Sequence, residues 1–180
     1  MRTSVRNQIG PCNPNLPYSG DFELWMRHAT VSDVGYVGGA DQAYYRMHAN
    51  NMHRSYNMLA NISQRLLAFD VIFDERSDLF ADPQSMRDDA HRALARETLR
   101  YAISAYARGV ADLEPIDDYA AFALSTWPDA RRLHEWRVLS RLRKMRAETR
   151  RRDPSLIVRE AVRNLRYSLG WWRGRWAGVD

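Results

Sequence analysis

The chain lacks the features that mark secreted and membrane-spanning proteins. Its 180 residues contain one cysteine, Cys12, which excludes an internal disulfide and fits a reducing compartment. No run of about 18 apolar residues is present, the length that a membrane-spanning helix needs. The N-terminus has no apolar segment after its first charges, so we expect no signal peptide. These absences predict a cytoplasmic protein.

Lysine is nearly absent as well, and arginine carries almost all of the positive charge. The net charge of +5 hides an uneven distribution along the chain. Residues 1–130 contain 12 basic and 17 acidic side chains, whereas residues 131–180 contain 15 basic and 5 acidic ones. Such asymmetry between the two parts of a chain predicts contact of the basic end with a polyanion or a membrane surface.

The most informative stretch is residues 17–29, where a turn signal runs directly into a helical pattern. Apolar residues at 3–4 spacing predict one buried stripe on this helix: Phe22, Trp25, Met26 and Ala29.

Two carboxylates lie at the start of this predicted helix. Asp21 is placed as an N-cap or first-turn residue, and Glu23 follows in the first turn, where the helix dipole favours negative charge. One interpretation is a cap with dipole-matched charges. The other is a carboxylate that a rigid helix start holds at the rim of a cleft, where it could act as a general base.

The segment Gly20–Arg27 resembles the acidic helix-start motif of family 2 inverting glycosyltransferases of the GT-A fold. That motif reads roughly Glu/Gly-Asp-x-Asp/Glu-Leu-x-x-Arg. Residues 1–5 and 10–17 resemble the strand and loop that precede it, and residues 35–37 and 44–48 resemble the strand and the Tyr-Arg-x-His segment that follow. The resemblance covers about residues 1–60, with its motifs in order.

The resemblance implies transfer of a sugar from a nucleotide-sugar donor to an acceptor hydroxyl with inversion. Asp21 would be the general base, and Glu23 would be a second catalytic carboxylate. The acceptor would be a glycan or a lipid-linked sugar. The resemblance also implies three substrate-binding residues: Trp25, Arg27 and Arg46. Arg46 has an alternative, since it could equally pair with an acidic side chain of its own domain.

The same resemblance implies a metal-dependent donor site. His48 would meet the metal and the diphosphate, and the metal would be Mg or Mn held mostly by oxygens. The family's nucleotide-binding half, with its Asp-x-Asp metal motif, should lie before Met1 and is not in this chain. This chain alone is therefore predicted to hold no metal and to bind nucleotide-sugars weakly.

The fold class that we predict is α+β. Residues 1–54 would form the C-terminal part of a GT-A-like α/β domain. Residues 1–10 would form a strand end followed by a short helical turn, and strands would lie at 34–38 and 42–48. Residues 55–180 would form a helical extension of about five helices.

The helical extension is predicted from caps and apolar stripes. Met58, Ile62, Leu66, Phe69 and Phe73 keep 3–4 spacing in its first helix. Further helices are predicted from Asp82-Pro83 to Gly109, over residues 116–126, from Pro128, and from Asp153-Pro154. The acidic run over residues 70–82 lacks the spacing of an EF-hand loop and is interpreted as a solvated helix end and loop.

The basic end of the chain combines arginines with terminal tryptophans. This pattern has three interpretations: a helix packed by its apolar face with a solvated arginine side, a peripheral anchor at the inner face of the membrane, and a nucleic-acid-binding segment. No helix-turn-helix, zinc or RNA-binding signature supports the third. The residues that would meet the membrane are Arg159, Arg163, Arg166, Trp171, Trp172 and Trp176.

The sequence thus leaves two functions open. One is a family 2-like glycosyltransferase or a fragment of one. The other is a non-catalytic helical interaction module whose basic tail binds a membrane surface.

We expect residues 131–180 to drive reversible association with anionic vesicles, because basic residues near an anionic leaflet each add about 1 kcal/mol of attraction. Sedimentation of the full chain with anionic and with neutral vesicles, at low and at high salt, measures this. Binding should need anionic lipid and weaken in high salt. Equal binding to neutral vesicles, or binding to neither, would contradict the expectation.

Overall fold

The structure is a computed structural model that describes residues 2–35 and 57–145, together with the single positions 43, 44, 46 and 162. Six α-helices are described in these ranges: α1 (Thr3–Ile9), α2 (Gly20–Ala29), α3 (Met58–Glu75), α4 (Pro83–Ala107), α5 (Ile116–Thr126) and α6 (His134–Lys144). Three short 3₁₀ segments connect them: Ser77–Leu79, Ala111–Leu113 and Pro128–Arg132.

The predicted α+β fold class is wrong, because the described residues form helices and contain no strand or sheet. The expected strand end in residues 1–10 is helix α1. Val5 and Ile9 lie four residues apart on this helix, and Ile9 is buried. α1 packs against α2, so tertiary packing overrides the β propensity of Thr3 and Val5. Gly10 ends the helix with a φ of 81°.

The other predicted strands have no support in the described residues. Positions 34, 35, 43, 44 and 46 are in no regular element. The remaining residues of the predicted strands at 34–38 and 42–48 lie outside the described residues.

The helices predicted between residues 58 and 126 are confirmed, and the helix predicted from Asp153-Pro154 lies, apart from position 162, outside the described residues. α3 and α4 form an antiparallel pair joined by a short connection. Asp82 caps α4 by accepting a hydrogen bond from the Ser85 backbone N–H at 3.0 Å, with Pro83 at the first helical position. Gly109, with a φ of 72°, follows the C-terminus of α4. α5 has the predicted bounds.

One helix begins later than predicted. Pro128 starts a 3₁₀ segment rather than α6, because Leu133 adopts an extended conformation between the two elements. The side chains of Ala130 and Leu133 are both buried in this corner, which explains why the chain bends here.

The hydrophobic core lies around α4, which packs against α3, α5 and α6. Ala95, Ala102 and Ala105 are fully buried on α4, and such small side chains let neighbouring helices approach closely. Larger buried residues from the neighbouring helices complete this core: Ile116, Tyr119, Leu133 and Leu139.

The N-terminal segment packs directly on this bundle. The Phe22 ring of α2 meets the Phe69 ring of α3 edge to face, with centroids 5.3 Å apart. The Tyr18 backbone N–H donates to Gln64 Oε1 at 2.8 Å. The predicted domain boundary between residues 54 and 55 lies outside the described residues, and the division into two domains stays a prediction.

Charged side chains follow the α3–α4 contact from one end to the other. Arg65 bonds both carboxylate oxygens of Glu97 at 2.7 and 2.9 Å, and Asp70 meets His91 at 2.9 Å. A third pair joins Asp74 and Arg87. Asp70 and Asp74 of the acidic run thus pair across the helix contact, while Asp74 and the rest of the run stay exposed, as predicted.

No helix among the described residues is long and apolar enough to cross a membrane. The six predicted membrane-binding residues of the tail lie outside the described residues.

We predict that Asp82→Ala lowers the free energy of unfolding by about 1 kcal/mol, because the α4 N-terminus loses its side-chain acceptor. Asp82→Asn is the matched control, since asparagine caps nearly as well. Urea unfolding followed by far-UV circular dichroism measures both. Equal losses for the two variants would show that the cap bond contributes little.

Candidate functional site

The predicted site residues near the N-terminus are carried by α2, whose start is fixed by the loop before it. Leu16 and Ser19 are buried in this loop. The Glu23 backbone N–H donates to the Ser19 carbonyl at 2.9 Å, which opens the helix. Acidic residues in the first turn and Arg27 and His28 in the last turn complement the helix dipole.

Glu23 and Arg27 form a buried ion pair one turn apart on α2. Glu23 is 1% exposed and Arg27 is 8% exposed. Arg27 Nη2 donates to Glu23 Oε2 at 2.9 Å. Arg27 Nε lies 2.5 Å from Oε1 in an ion-pair contact that does not have hydrogen-bond geometry.

Arg27 also binds the chain that leads into α2. Its Nη1 donates to the Ile9 carbonyl at 2.5 Å, and its Nη2 donates to the Pro11 carbonyl at 2.7 Å. The guanidinium therefore joins the end of α1, the following loop and α2. We call Glu23, Arg27 and these two carbonyls the buried clasp.

The clasp changes the interpretation of two predicted residues. Glu23 was expected to be a second catalytic carboxylate and Arg27 a substrate-binding residue. In this arrangement neither side chain is open to a substrate, because each is buried and bound to the other. Both residues position α2 instead.

Asp21 is the carboxylate that stays exposed at the start of α2. The helix begins at Gly20 with Ser19 as N-cap, so Asp21 is a first-turn residue. Its Oδ1 accepts a hydrogen bond from the Phe22 backbone N–H at 2.7 Å. No ion pair to Asp21 is formed among the described residues. The structure therefore leaves this carboxylate reachable on a fixed helix.

The predicted buried stripe of α2 is wrong at Trp25 and Ala29, which are both exposed. Trp25 is 60% exposed, whereas Leu24 is buried. Because Asp21 and Trp25 are four residues apart, they lie on the same side of the helix. The rise of about 1.5 Å per residue separates them by roughly 6 Å along the axis.

A groove of about 530 Å³ opens beside Trp25, between α1 and the residues that follow α2. Its lining mixes charged, polar and apolar side chains: Arg2, Val5, Trp25, His28, Ser32, Asp33, Val34 and Gly35. His28 Nε2 is buried and has no hydrogen-bond partner among the described residues. Sequence reasoning missed this groove, although His28 follows Trp25 by three residues and therefore shares its side of the helix.

The other predicted site residues cannot be assigned to this site. Arg46 is exposed, and the chain on both sides of it lies outside the described residues. His48 also lies outside them. The described residues contain no group of three or more His, Cys, Asp or Glu side chains that could hold a metal ion.

A second groove, of about 630 Å³, lies at the start of α5. Two of its three carboxylates lie near arginines, since Asp117 pairs with Arg143 and Glu114 lies 3.8 Å from Arg108. The buried Tyr119 hydroxyl donates to Glu114 Oε2 at 3.0 Å. Burial raises the pKa of Tyr119 to about 12, and the hydrogen bond and negative charge of Glu114 act in the same direction. These contacts give Glu114, Asp117 and Tyr119 structural roles at this groove.

Comparisons of the chain with protein-family models, with curated proteins and with solved structures find no match. The resemblance to family 2 glycosyltransferases therefore stays a prediction that depends on the residues of this sequence.

We predict that Arg27→Met lowers the free energy of unfolding by about 3–5 kcal/mol, because it leaves the Glu23 carboxylate buried without its partner. Arg132→Met is the matched control. Arg132 forms an exposed pair with Asp129, and an exposed pair contributes about 0–1 kcal/mol. Urea unfolding measures both losses. Similar losses for the two variants would contradict a stabilising role for the clasp.

The raised pKa of Tyr119 predicts a loss of stability at alkaline pH. The unfolded chain releases this phenolic proton near its ordinary pKa of about 10, whereas the folded chain holds it until about pH 12. The free energy of unfolding should therefore fall as pH rises from 10 to 12. Tyr119→Phe should reduce the slope of stability against pH in this window. An unchanged slope would contradict the assignment.

Proposed function

We propose that this chain supplies the acceptor-side catalytic segment of an inverting glycosyltransferase, with Asp21 as the general base. The proposal is carried by one observation: Asp21 is exposed at the first turn of a helix that is fixed by the buried clasp. The motif around residues 20–27 supports it from the sequence side.

The chemistry that we assign to Asp21 is a single proton transfer. Its carboxylate accepts the proton of the acceptor hydroxyl while the oxygen attacks the anomeric carbon of the donor sugar. The bond to the nucleotide diphosphate breaks on the opposite face of the ring, which inverts the configuration. In this proposal the donor, with any Mg or Mn that accompanies it, is bound outside the described residues.

The clasp supports this role by limiting the motion of the base. A general base must reach its proton at hydrogen-bond distance, so small displacements reduce catalysis. Arg27 ties α2 to the carbonyls of Ile9 and Pro11 at 2.5 and 2.7 Å, and Phe22 packs on Phe69 of α3. The Asp21 carboxylate is therefore accessible to solvent, while its helix is held by Arg27 and by Phe22.

A second candidate function is a non-catalytic helical module that binds other molecules through its surface. The observation that favours it is that every regular element among the described residues is helical. In this case the net positive charge of residues 131–180 would attach the module to the inner face of the membrane. For both candidates we propose a cytoplasmic location, which fits the single cysteine.

Asp21→Asn removes the basic oxygen but keeps an amide oxygen that can accept from the Phe22 backbone N–H. The chain is expressed with any residues encoded in frame ahead of Met1, and release of nucleotide diphosphate is measured with a panel of nucleotide-sugars, Mn²⁺ and glycan acceptors. We predict that Asp21→Asn reduces turnover on the order of 100-fold or more, because the amide cannot take the proton. Stability should change by no more than about 1 kcal/mol.

Asp118→Asn is the matched control, because Asp118 is an exposed first-turn aspartate of α5. Its turnover should stay within a few-fold of the unchanged chain. Turnover of Asp21→Asn in the same range would reject Asp21 as the base. Absence of release with every donor would favour the non-catalytic module.

A further inference from the structure

We propose that the groove beside Trp25 binds a pyranose ring, which stacks on the exposed face of the indole. The identification of this sugar as the acceptor depends on the proposed function. The saccharide-binding property itself depends only on the residues of the groove, so the two can fail separately.

The chemistry of the groove fits a sugar better than an apolar ligand or an anion. A pyranose has one face rich in C–H groups, which pack on the negative face of an aromatic ring. Its edges carry hydroxyls, which both donate and accept hydrogen bonds. Trp25 supplies the aromatic face and is 60% exposed. Asp33 supplies acceptors, and Arg2 supplies donors in the same lining.

The lining charges argue against an anionic ligand. Arg2 alone would favour a phosphate, but the Asp33 carboxylate in the same groove opposes one. A neutral polyol can use both groups, because its hydroxyls accept from a guanidinium and donate to a carboxylate. The volume of about 530 Å³ is within the range of about 300–1,000 Å³ that is typical of small-molecule sites.

His28 adds an independent observation. The residue lines this groove, and its buried Nε2 lacks a partner among the described residues. A buried polar atom without a partner is uncommon and costly. A hydroxyl of a bound sugar would supply the missing hydrogen bond after a small shift of the ring.

The position of the groove relates the sugar to the base. Trp25 lies one helical turn after Asp21 on the same side of α2, roughly 6 Å along the axis. Asp21 lies outside the lining of the groove, so the proposed function requires a sugar stacked on Trp25 to extend toward the start of α2, where one of its hydroxyls would meet the carboxylate. The clasp, which contains the residue between them, keeps this separation constant.

Binding is measured on the full chain without any donor, by saturation-transfer NMR with the methyl β-glycosides of glucose, galactose, mannose and N-acetylglucosamine. We expect at least one glycoside to bind. Trp25→Ala should weaken its affinity about tenfold or more, and Trp25→Phe should retain most of it. Asp33→Ala should weaken it about fivefold through the lost hydrogen bond.

Trp136→Phe is the control, because Trp136 packs on the bundle core and not in this groove; its affinity should equal that of the unchanged chain. Far-UV circular dichroism verifies that each variant is folded, which is expected since Trp25 and Asp33 are exposed. Absence of binding for all four glycosides, or equal affinity in Trp25→Ala, would overturn the proposal. If glycoside binding depends on Trp25 but turnover is unchanged by Asp21→Asn, the groove is a saccharide site and the proposed function is rejected.

Discussion

The arrangement of the candidate site depends on the burial of the Glu23–Arg27 ion pair. Removing two charges from water is costly, and a buried pair often contributes no more stability than apolar residues of the same volume. Here Arg27 recovers part of that cost through the carbonyls of Ile9 and Pro11. Apolar residues could fill the space but could not bind those two carbonyls. We infer that the main role of the pair is to fix the position of α2 relative to α1.

Helix α2 carries both buried and solvent-exposed side chains within a short sequence. Glu23, Leu24 and Arg27 are buried, whereas Asp21 and Trp25 are open to solvent. The helical period of 3.6 residues makes this separation possible within two turns. A reachable carboxylate and a reachable aromatic ring therefore share one side of a helix whose opposite side is held by the clasp. The proposed acceptor-binding surface would need such a fixed support.

The sequence predicted local features well and tertiary features poorly. The Asp82 cap, the Pro83 start and the Gly109 stop follow from local backbone chemistry, so α4 could be predicted from its ends. The helical form of residues 3–9 depends on packing of α1 against α2, which β propensity and family resemblance do not encode. The burial of Glu23 could not be predicted either, because an i,i+4 Glu–Arg pair looks the same on an exposed helix. Ile9 and Pro11 contribute only backbone carbonyls to the clasp. Every residue has such a carbonyl, so the sequence does not show which ones bind Arg27. Trp25 was misassigned because apolar spacing treats an exposed indole like a core residue.

Native-state hydrogen exchange of α2 tests most directly whether the clasp holds the site rigid. The account predicts that the backbone amides of residues 24–28 exchange only through openings whose free energy is close to that of the α4 amides. It further predicts that this protection falls selectively in Arg27→Met while α4 stays protected relative to global unfolding. Rapid exchange of the α2 amides in the unchanged chain, with α4 still protected, would contradict the account, because Asp21 would then lie on a helix that opens freely.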